Sequence, residues 1–347
     1  MLSHCAYYET ESTSAPFNLA VEEVLVESME AEAPGCFMLW QNGPSVIVGR
    51  HQNTRSEVNL PELKKRGIDL VRRLTGGGAV YHDLGNINFT FILPRGHGKE
   101  PETRELLQPL VNYLDGFGIK AGMEGRNDLS IPGRGKFSGL AGRRLPGKFL
   151  LHGTLLYDVD VSVLEQVLLV DPEKYRSKGV ASVRARVTNL KPLLPVSLKE
   201  LWEGIRNAYG AQISPLPKEI REKANALAMV RYACPDWNIG ESPPGDIVLK
   251  RRFPFGSLEL RLATHKESIS SALLTGDFLS PDYGTEISAT QLSDALVGLP
   301  ANKPQEWAAA WQKFPMDRIF YGYAGPEEIT LWLATAHEPE NGSAVYK

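Results

Sequence analysis

The chain of 347 residues is 42% hydrophobic and 23% charged, as in an ordinary globular protein long enough for two domains or one large one. A formal net charge of -3 and a pI near 6.2 argue against a dedicated binder of nucleic acid or anionic membranes, so any anion site has to be local. Cys5, Cys36 and Cys234 lie far apart without C-x-x-C spacing, which excludes a disulfide scaffold or thiolate zinc site and fits a reducing cytosol. The start MLSHCAYYETEST lacks a basic segment followed by an apolar one, and no apolar run approaches the roughly 18 residues of a bilayer span, so a cytoplasmic protein is expected.

In chain order, SAPFNLAVEEVLVES places Phe17, Ala20, Val21, Val24 and Ser28 on one helical stripe, with Ser14 as N-cap and the carboxylates on the opposite face. IDLVRRL reads as a strand running into three glycines, Gly76 to Gly78, and AVYH as a strand running out of them. In NINFTFIL, Ile87, Phe89, Phe91 and Leu93 alternate with Asn86, Asn88 and Thr90, the pattern of a half-buried strand. A helix follows with Leu106, Leu107, Leu110, Val111 and Leu114 on one face and its end near Gly116. Between Asp128 and Asp158 the pattern breaks at PGRG and at LPGK, giving three strands of an antiparallel meander. SLKELWEGIRNAYG carries a capping box, Ser197 with Glu200, and a terminal Gly210. The Pro- and Gly-rich DWNIGESPPGD, Asp236 to Asp246, marks a domain boundary, drawn between residues 243 and 244. Beyond it, short strands precede helical SATQLSDALVGLP and KPQEWAAAWQKF. The expected fold class is α+β, a mixed, largely antiparallel sheet with packed helices plus a small α+β C-terminal accessory domain.

RRLTGGGAVYHD, Arg72 to Asp83, is neither a Walker A loop nor a Rossmann fingerprint, since both need their glycines to open a helix. Three residues without Cβ let backbone N–H groups close on an anion. Arg72 and Arg73 alternate across their strand, so one of them faces the loop. Arg73 offers a planar fork for phosphate oxygens, with His82 and Asp83 just downstream. The alternative is a glycine-rich hairpin with solvated arginines.

Across the PGRG turn, Asp128 and Lys136 fall on adjacent strands, where the carboxylate orients the ammonium and keeps it protonated. Strict alternation groups Lys136 with Ser138 and Leu140, leaving Gly139 and Ala141 on the other face, small enough for a ligand to approach. Standing alone, a strand lysine is usually a solvated surface residue. FLLHGTLLYD sets His152, Thr154 and Leu156 on one face, with Gly153 between them. His51, His82 and His152 lack zinc-site spacing, there is no G-x-S-x-G elbow, and no cysteine neighbours a basic or glycine-rich cluster. A zinc site and covalent nucleophilic catalysis are both poorly supported. Arg176, Lys178, Arg184 and Arg186 in YRSKGVASVRARVTNL form either a solvated loop or a basic flap over a phosphate-bearing intermediate.

On NLAVEEVL, VIVGRHQN, RRLTGGGAVYHDLGNINFTF, GRNDL, KFSGLA, HGTLL and KGVASVRARVTNL, in that order, the chain resembles the lipoate-protein ligase A family of the biotin/lipoate ligase group. The segment beyond the Pro-rich linker resembles that family's accessory C-terminal domain, a weaker match. The resemblance implies a biotinyl/lipoyl ligase-like catalytic domain and a two-step reaction. Lipoate and ATP give lipoyl-adenylate and pyrophosphate with Mg2+ assisting. The acyl group then passes to a lysine of a lipoyl carrier domain, such as a 2-oxoacid dehydrogenase acyltransferase subunit or the glycine-cleavage carrier protein. The chain is expected to act as a monomer, without nucleic acid or membrane.

Lys136 matches the family's catalytic lysine, bridging carboxylate and α-phosphate, and Asp128 would orient it or reach the Mg2+ ion. Arg73 and the loop residues Gly76, Gly77, Gly78, Ala79, Val80 and Tyr81 match the binding motif for ATP and the lipoyl-adenylate, with His82 and Asn86 in the same pocket. Gly139, Leu140, His152, Gly153 and Thr154 are expected along the acyl slot, and Lys178 and Arg184 in the flap over the adenylate. Family members usually carry a small polar residue at the position of Leu140 and a larger one at that of Gly142, a departure that bears on lipoate against octanoate. An octanoyl transferase of the same fold needs a cysteine near GRNDLSIPGRG, which has none, and a biotin ligase needs a GRGRxGR loop, of which only GRG at Gly133 to Gly135 is present. A non-catalytic lipoate-binding relative would bind without turnover, and the retention of Lys136 with RR-x-x-GGG speaks against it.

Overall fold

In a computed structural model of the chain, the described residues are 5–30, 33–94, 102–125, 127–169, 187–240, 245–280, 289–323, 325 and 327–336. The first part of the chain contributes β1 (Ala6–Glu9), β2 (Cys36–Trp40), β3 (Ser45–Val48), β4 (Asp69–Arg72), β5 (Val80–His82), β6 (Asn86–Pro94), β7 (Gly122–Glu124), β8 (Asp128–Ile131), β9 (Gly135–Leu145) and β10 (Lys148–Leu156). A large sheet has the order β1-β2-β6-β10-β9-β8-β7, antiparallel except where β1 lies beside β2. The meander expected between Asp128 and Asp158 is present as β8, β9 and β10, with Gly133, Gly135 and Gly147 taking positive φ in its turns.

The glycine-rich stretch is not a hairpin. Strands β4 and β5 pair with opposite edges of β3, parallel on one side and antiparallel on the other, so Gly76 to Gly78 pass across the end of a third strand. A Cβ on Gly49, just beyond β3, would stand 2.0 Å from Gly77 O, and Gly77 itself has φ +90°. The crossing therefore requires glycine on both sides.

Helix α1 (Ala15–Ser28) starts as expected, with Ser14 Oγ accepting from Phe17 N–H. It packs on one face of the sheet, while α2 (Thr103–Asp115) and α3 (Leu198–Ala208), the latter with its capping box, cover the other. Strand β6 is accordingly buried on both faces rather than one. Ile87, Phe89, Phe91 and Leu93 enter the core under α2 and α3, and Thr90 Oγ1 donates to Glu22 of α1 at 2.7 Å.

Of the three carboxylates of α1 only Glu27 faces solvent. Glu22 and Glu23 are 1% and 4% exposed, the first against Thr90 and His152 of the sheet and the second under α4 (Lys218–Leu227) and the turn after it. Tyr232 Oη donates to Glu23 at 2.6 Å and Arg231 pairs with it, so the buried charge is hydrogen-bonded rather than orphaned.

Beyond residue 244, β11 (Ile247–Phe253), β12 (Gly256–His265) and β13 (Ser268–Gly276) form an antiparallel sheet with its own core, in which Leu258, Leu260, Trp307, Trp311 and Phe320 are fully buried. This sheet docks on the glycine loop. Gly77 N–H donates to Phe278 O at 3.2 Å, Gly276 N–H donates to His51 O at 2.9 Å, and the His51 ring stacks on Phe278 at 4.7 Å. A Cβ on Gly76 would meet Phe278 O at 2.3 Å, so this glycine exists for the contact between the two parts. Among the described residues no helix is long and apolar enough to cross a membrane.

Candidate active site

Five strands of the large sheet carry one row of side chains. Register places Asp128 opposite Gly139, Gly139 N–H donates to Thr154 Oγ1 at 3.1 Å, Thr154 pairs with Asn88, and Asn88 pairs with Trp40. The next row contains Ala141, His152 and Thr90. Lys136 joins the Asp128 row, contrary to strict alternation along β9. Leu129 pairs with Ser138 but Ser130 pairs with Lys136, so Phe137 is an extra residue, and this bulge swings the lysine from the Ser138 and Leu140 face onto that of Gly139. Lys136 Nζ lies 2.6 Å from Asp128 Oδ1, with the two side chains 21% and 9% exposed. Leu140 points to the core with Phe89 and Gly153, where a Cβ on Gly153 would strike the Phe89 ring at 2.4 Å.

Both arginines of the glycine motif are buried, and they diverge as alternation requires. Arg72 donates to the carbonyls of Gly49, Gln52, Trp237, Asn238 and Ile239 and to Thr54 Oγ1, tying the segment before the second domain to the loop after β3. Arg73 faces the glycine loop but grips it rather than opening a fork outward. Its Nη2 donates to Gly76 O and Gly78 O at 2.6 and 2.9 Å, Nη1 to Ile47 O and Nε to Thr75 Oγ1. Burial lowers both guanidinium groups to about 10, so both stay charged at neutral pH.

A chain of hydrogen bonds continues from Arg73 through Thr75 Oγ1 to His152 Nε2 at 2.7 Å, and from His152 Nδ1 to Glu22 at 2.8 Å. Residue Glu22 was not singled out in the sequence; its signal was an acidic pair inside a helix apolar on both sides. His82 sits 3.1 Å from Asn42, and among the described residues its Nε2 finds no partner. Burial, then the charges of Arg73 and His152, pushes its pKa down to about 3, leaving a neutral imidazole.

These groups surround a cavity of about 310 Å³. Its wall includes Arg73, Gly77, Gly78, Ala79, Val80, Tyr81, His82, Asp128, Lys136, Gly139, Leu140, His152, Gly153 and Thr154, all expected at the site. Gly76 and Asn86 are not on it. Gly76 is packed against Phe278, and Asn86, two residues back along β6, donates to Asn88 Oδ1 at 2.9 Å and leaves Asn88 on the wall. Asp83 accepts from the N–H groups of Gly85 and Asp160 and serves the turn. Lys178 and Arg184 of the expected flap, with Arg176 and Arg186, lie outside the described residues. Arg252, Phe255, Gly256, Asp277 and Leu279 of the second part complete the wall, a contribution that no local pattern signals.

A half-buried ammonium held by a carboxylate, beside a loop stripped of side chains and a slot of mixed polarity, suits a protein that brings two anions together, as in the activation of a carboxylic acid by a nucleotide. Residues 14–209 match the family model of the lipoyl protein ligase A/B catalytic domain, and residues 242–333 match that of the bacterial lipoate protein ligase C-terminus. The chain belongs to the lipoyl protein ligase A/B family. Lipoate-protein ligase LplJ of Bacillus subtilis is 35% identical over 279 residues, 78% of this chain and 84% of the relative. A probable lipoate-protein ligase A of Mycoplasma pneumoniae is 37% identical over 302 residues, 84% of this chain and 87% of the relative. Among solved structures, P. falciparum LipL1 in complex with lipoate shares the fold with a TM-score of 0.76 at 23% identity, covering 95% of this chain and 99% of its own. A lipoate-protein ligase A bound with ATP superposes with a TM-score of 0.59 at 27% identity, over 68% of this chain and 99% of its own. The bi-partite ligase of Thermoplasma acidophilum, described with its E2 lipoyl domain, gives 0.60 at 30% identity over 69% and 97%.

Proposed function

We propose that the chain is an ATP-dependent lipoate-protein ligase that forms lipoyl-adenylate and passes the lipoyl group to a lysine of a lipoyl domain. The observation that carries this reading is the Lys136–Asp128 pair at the cavity wall. In the first step a lipoate oxygen attacks the α-phosphorus, the bond from phosphorus to the bridging oxygen breaks, and pyrophosphate leaves. Lys136 neutralises the carboxylate and the α-phosphate as they meet, and Asp128 keeps the ammonium charged and in place. In the second step the carrier amine attacks the acyl carbon, AMP leaves and an amide forms, with the amine proton released to solvent. Relatives named as lipoate-protein ligases and the neighbours described with lipoate and with ATP support the assignment.

Magnesium needs one or two carboxylates and otherwise keeps its waters and phosphate oxygens. Asp128 would hold such an ion, which neutralises phosphate charge when bound; among the described residues no group of three His, Cys, Asp or Glu is placed to bind a metal, which fits an ion arriving on the nucleotide. A transferase working through a cysteine is disfavoured. No cysteine lines the cavity, and burial drives the Cys36 thiol far up and away from thiolate.

The protein acts in the cytoplasm as a monomer, the catalytic domain ends at residue 243, and its carriers are the lipoyl domains of 2-oxoacid dehydrogenase complexes or the glycine-cleavage carrier protein. The testing measurement is lipoate-dependent ATP–pyrophosphate exchange by the wild type and by Lys136→Ala. The wild type should exchange and the variant should lose about a hundredfold. Octanoyl transfer from a carrier thioester without exchange would replace this reading with the transferase.

A further inference from the structure

Resting on the ligase reading, we propose that Arg252, supplied by the C-terminal domain, contacts the β- and γ-phosphates of ATP and neutralises the pyrophosphate as it leaves. A guanidinium fork was expected from Arg73, but that side chain is occupied by the loop it shapes, with bonds to Ile47 O, Thr75 Oγ1, Gly76 O and Gly78 O. Lys136 serves the α-phosphate and the carboxylate. Beyond the Mg2+ ion that would arrive on the nucleotide, the two distal phosphates, where most of the leaving charge collects, have no side-chain cation assigned to them.

Arg252 stands on the cavity wall with Asp277 and Gly256. Its Nη1 donates to Ser257 Oγ at 3.0 Å and lies 3.7 Å from Asp277 Oδ2, while Ser257 N–H holds Asp277 Oδ1 at 2.6 Å. Nε and Nη2 make no bond to any described residue, and the side chain is 31% exposed. One edge of the guanidinium is therefore anchored while the other keeps donors for an incoming anion, the arrangement that favours bidentate phosphate binding.

Chemistry adds a reason for placing this cation on a separate domain. When the α-phosphorus bond to the bridging oxygen breaks, negative charge grows on pyrophosphate, and a charge fixed beside it lowers the barrier. The second step has no pyrophosphate, so Arg252 is not required there. A residue of this kind affects adenylation and leaves transfer alone.

The full-length wild type, Arg252→Ala and Arg252→Lys should be compared in two assays. One is lipoate-dependent ATP–pyrophosphate exchange with pyrophosphate varied; the other is transfer from prepared lipoyl-AMP to an apo lipoyl domain. For Arg252→Ala, exchange should fall about a hundredfold with a raised pyrophosphate KM while transfer stays within twofold, and Arg252→Lys should recover part of the exchange. Exchange near the wild-type rate in Arg252→Ala, or equal losses in both assays, overturns the assignment. A wild type that exchanges nothing in the presence of lipoate overturns the ligase reading as well, which separates the two failures.

Discussion

A methyl group placed on Gly139 would sit 2.9 Å from Lys136 Nζ and 3.2 Å from its Cε, with Thr154 Oγ1 next at 3.9 Å. Ordinary contact begins near 3.4 Å, so in Gly139→Ala the ammonium has to retreat by about half an ångström while the backbone stays put. The side chain is flexible at that end, and the fold should lose no more than about 0.5 kcal/mol. Catalysis depends on where the charge sits, and a misplacement approaching 1 Å costs up to about a hundredfold. We therefore expect exchange to slow by roughly ten- to a hundredfold, about 1.4 to 2.7 kcal/mol on the barrier. A control lies on the same strand. A Cβ on Gly142 meets nothing closer than 3.4 Å, so Gly142→Ala should exchange within twofold of wild type. Thermal unfolding establishes that both variants are folded. A folded Gly139→Ala protein exchanging at the wild-type rate would refute the claim that the position of this ammonium limits the reaction.

Other consequences follow from the same packing. Gly76→Ala drives a methyl into Phe278 O and should loosen the docking of the C-terminal domain, read as an increased radius of gyration in small-angle scattering, whereas a Cβ at Gly78 meets nothing within 4 Å and Gly78→Ala should leave the shape unchanged. Arg72→Lys cannot reproduce a fan of bonds to carbonyls on two segments, and should lower stability to urea by about 2 to 3 kcal/mol. Burial and nearby arginines hold His51 at about 3, and His82 is held at about 3, against an ordinary 6.5. The unfolded chain thus binds more protons than the folded one between those values, and stability should fall as pH drops from 6.5 toward 5, by up to about 2 kcal/mol per imidazole, with no contribution from either above 6.5. Urea midpoints at pH 7.5 and pH 5 measure this, and a flat profile would refute the neutral imidazoles.

Local pattern revealed the meander, the caps of α1 and α3 and the pairing of Asp128 with Lys136, because each depends on neighbours a few residues apart. What escaped it depends on distant chain. The partner of β4 and β5 is β3, more than twenty residues upstream of β4, so the glycine stretch looked compatible with a hairpin. Glu22 and Glu23 looked solvated because the residues that cover them, His152 and the segment around Tyr232, come much later in the sequence. Asn86 was favoured over Asn88, although both share a face and only the register with Thr154 decides which borders the cavity. The contribution of the second domain was invisible for the same reason: nothing near Arg252 or Asp277 records that β3 and the glycine loop lie opposite.

The extra residue in β9 makes the phase of that strand a functional property. Were the bulge ironed out with Phe137 retained, strict two-residue periodicity would turn the ammonium toward the Phe89 and Leu129 interior, where a lone cation is worth several kcal/mol of destabilisation. The bulge, and not simple alternation, therefore decides which face the lysine serves. Any alignment that slides a gap through KFSG would give the neighbouring side chains the wrong sidedness while keeping every identity intact.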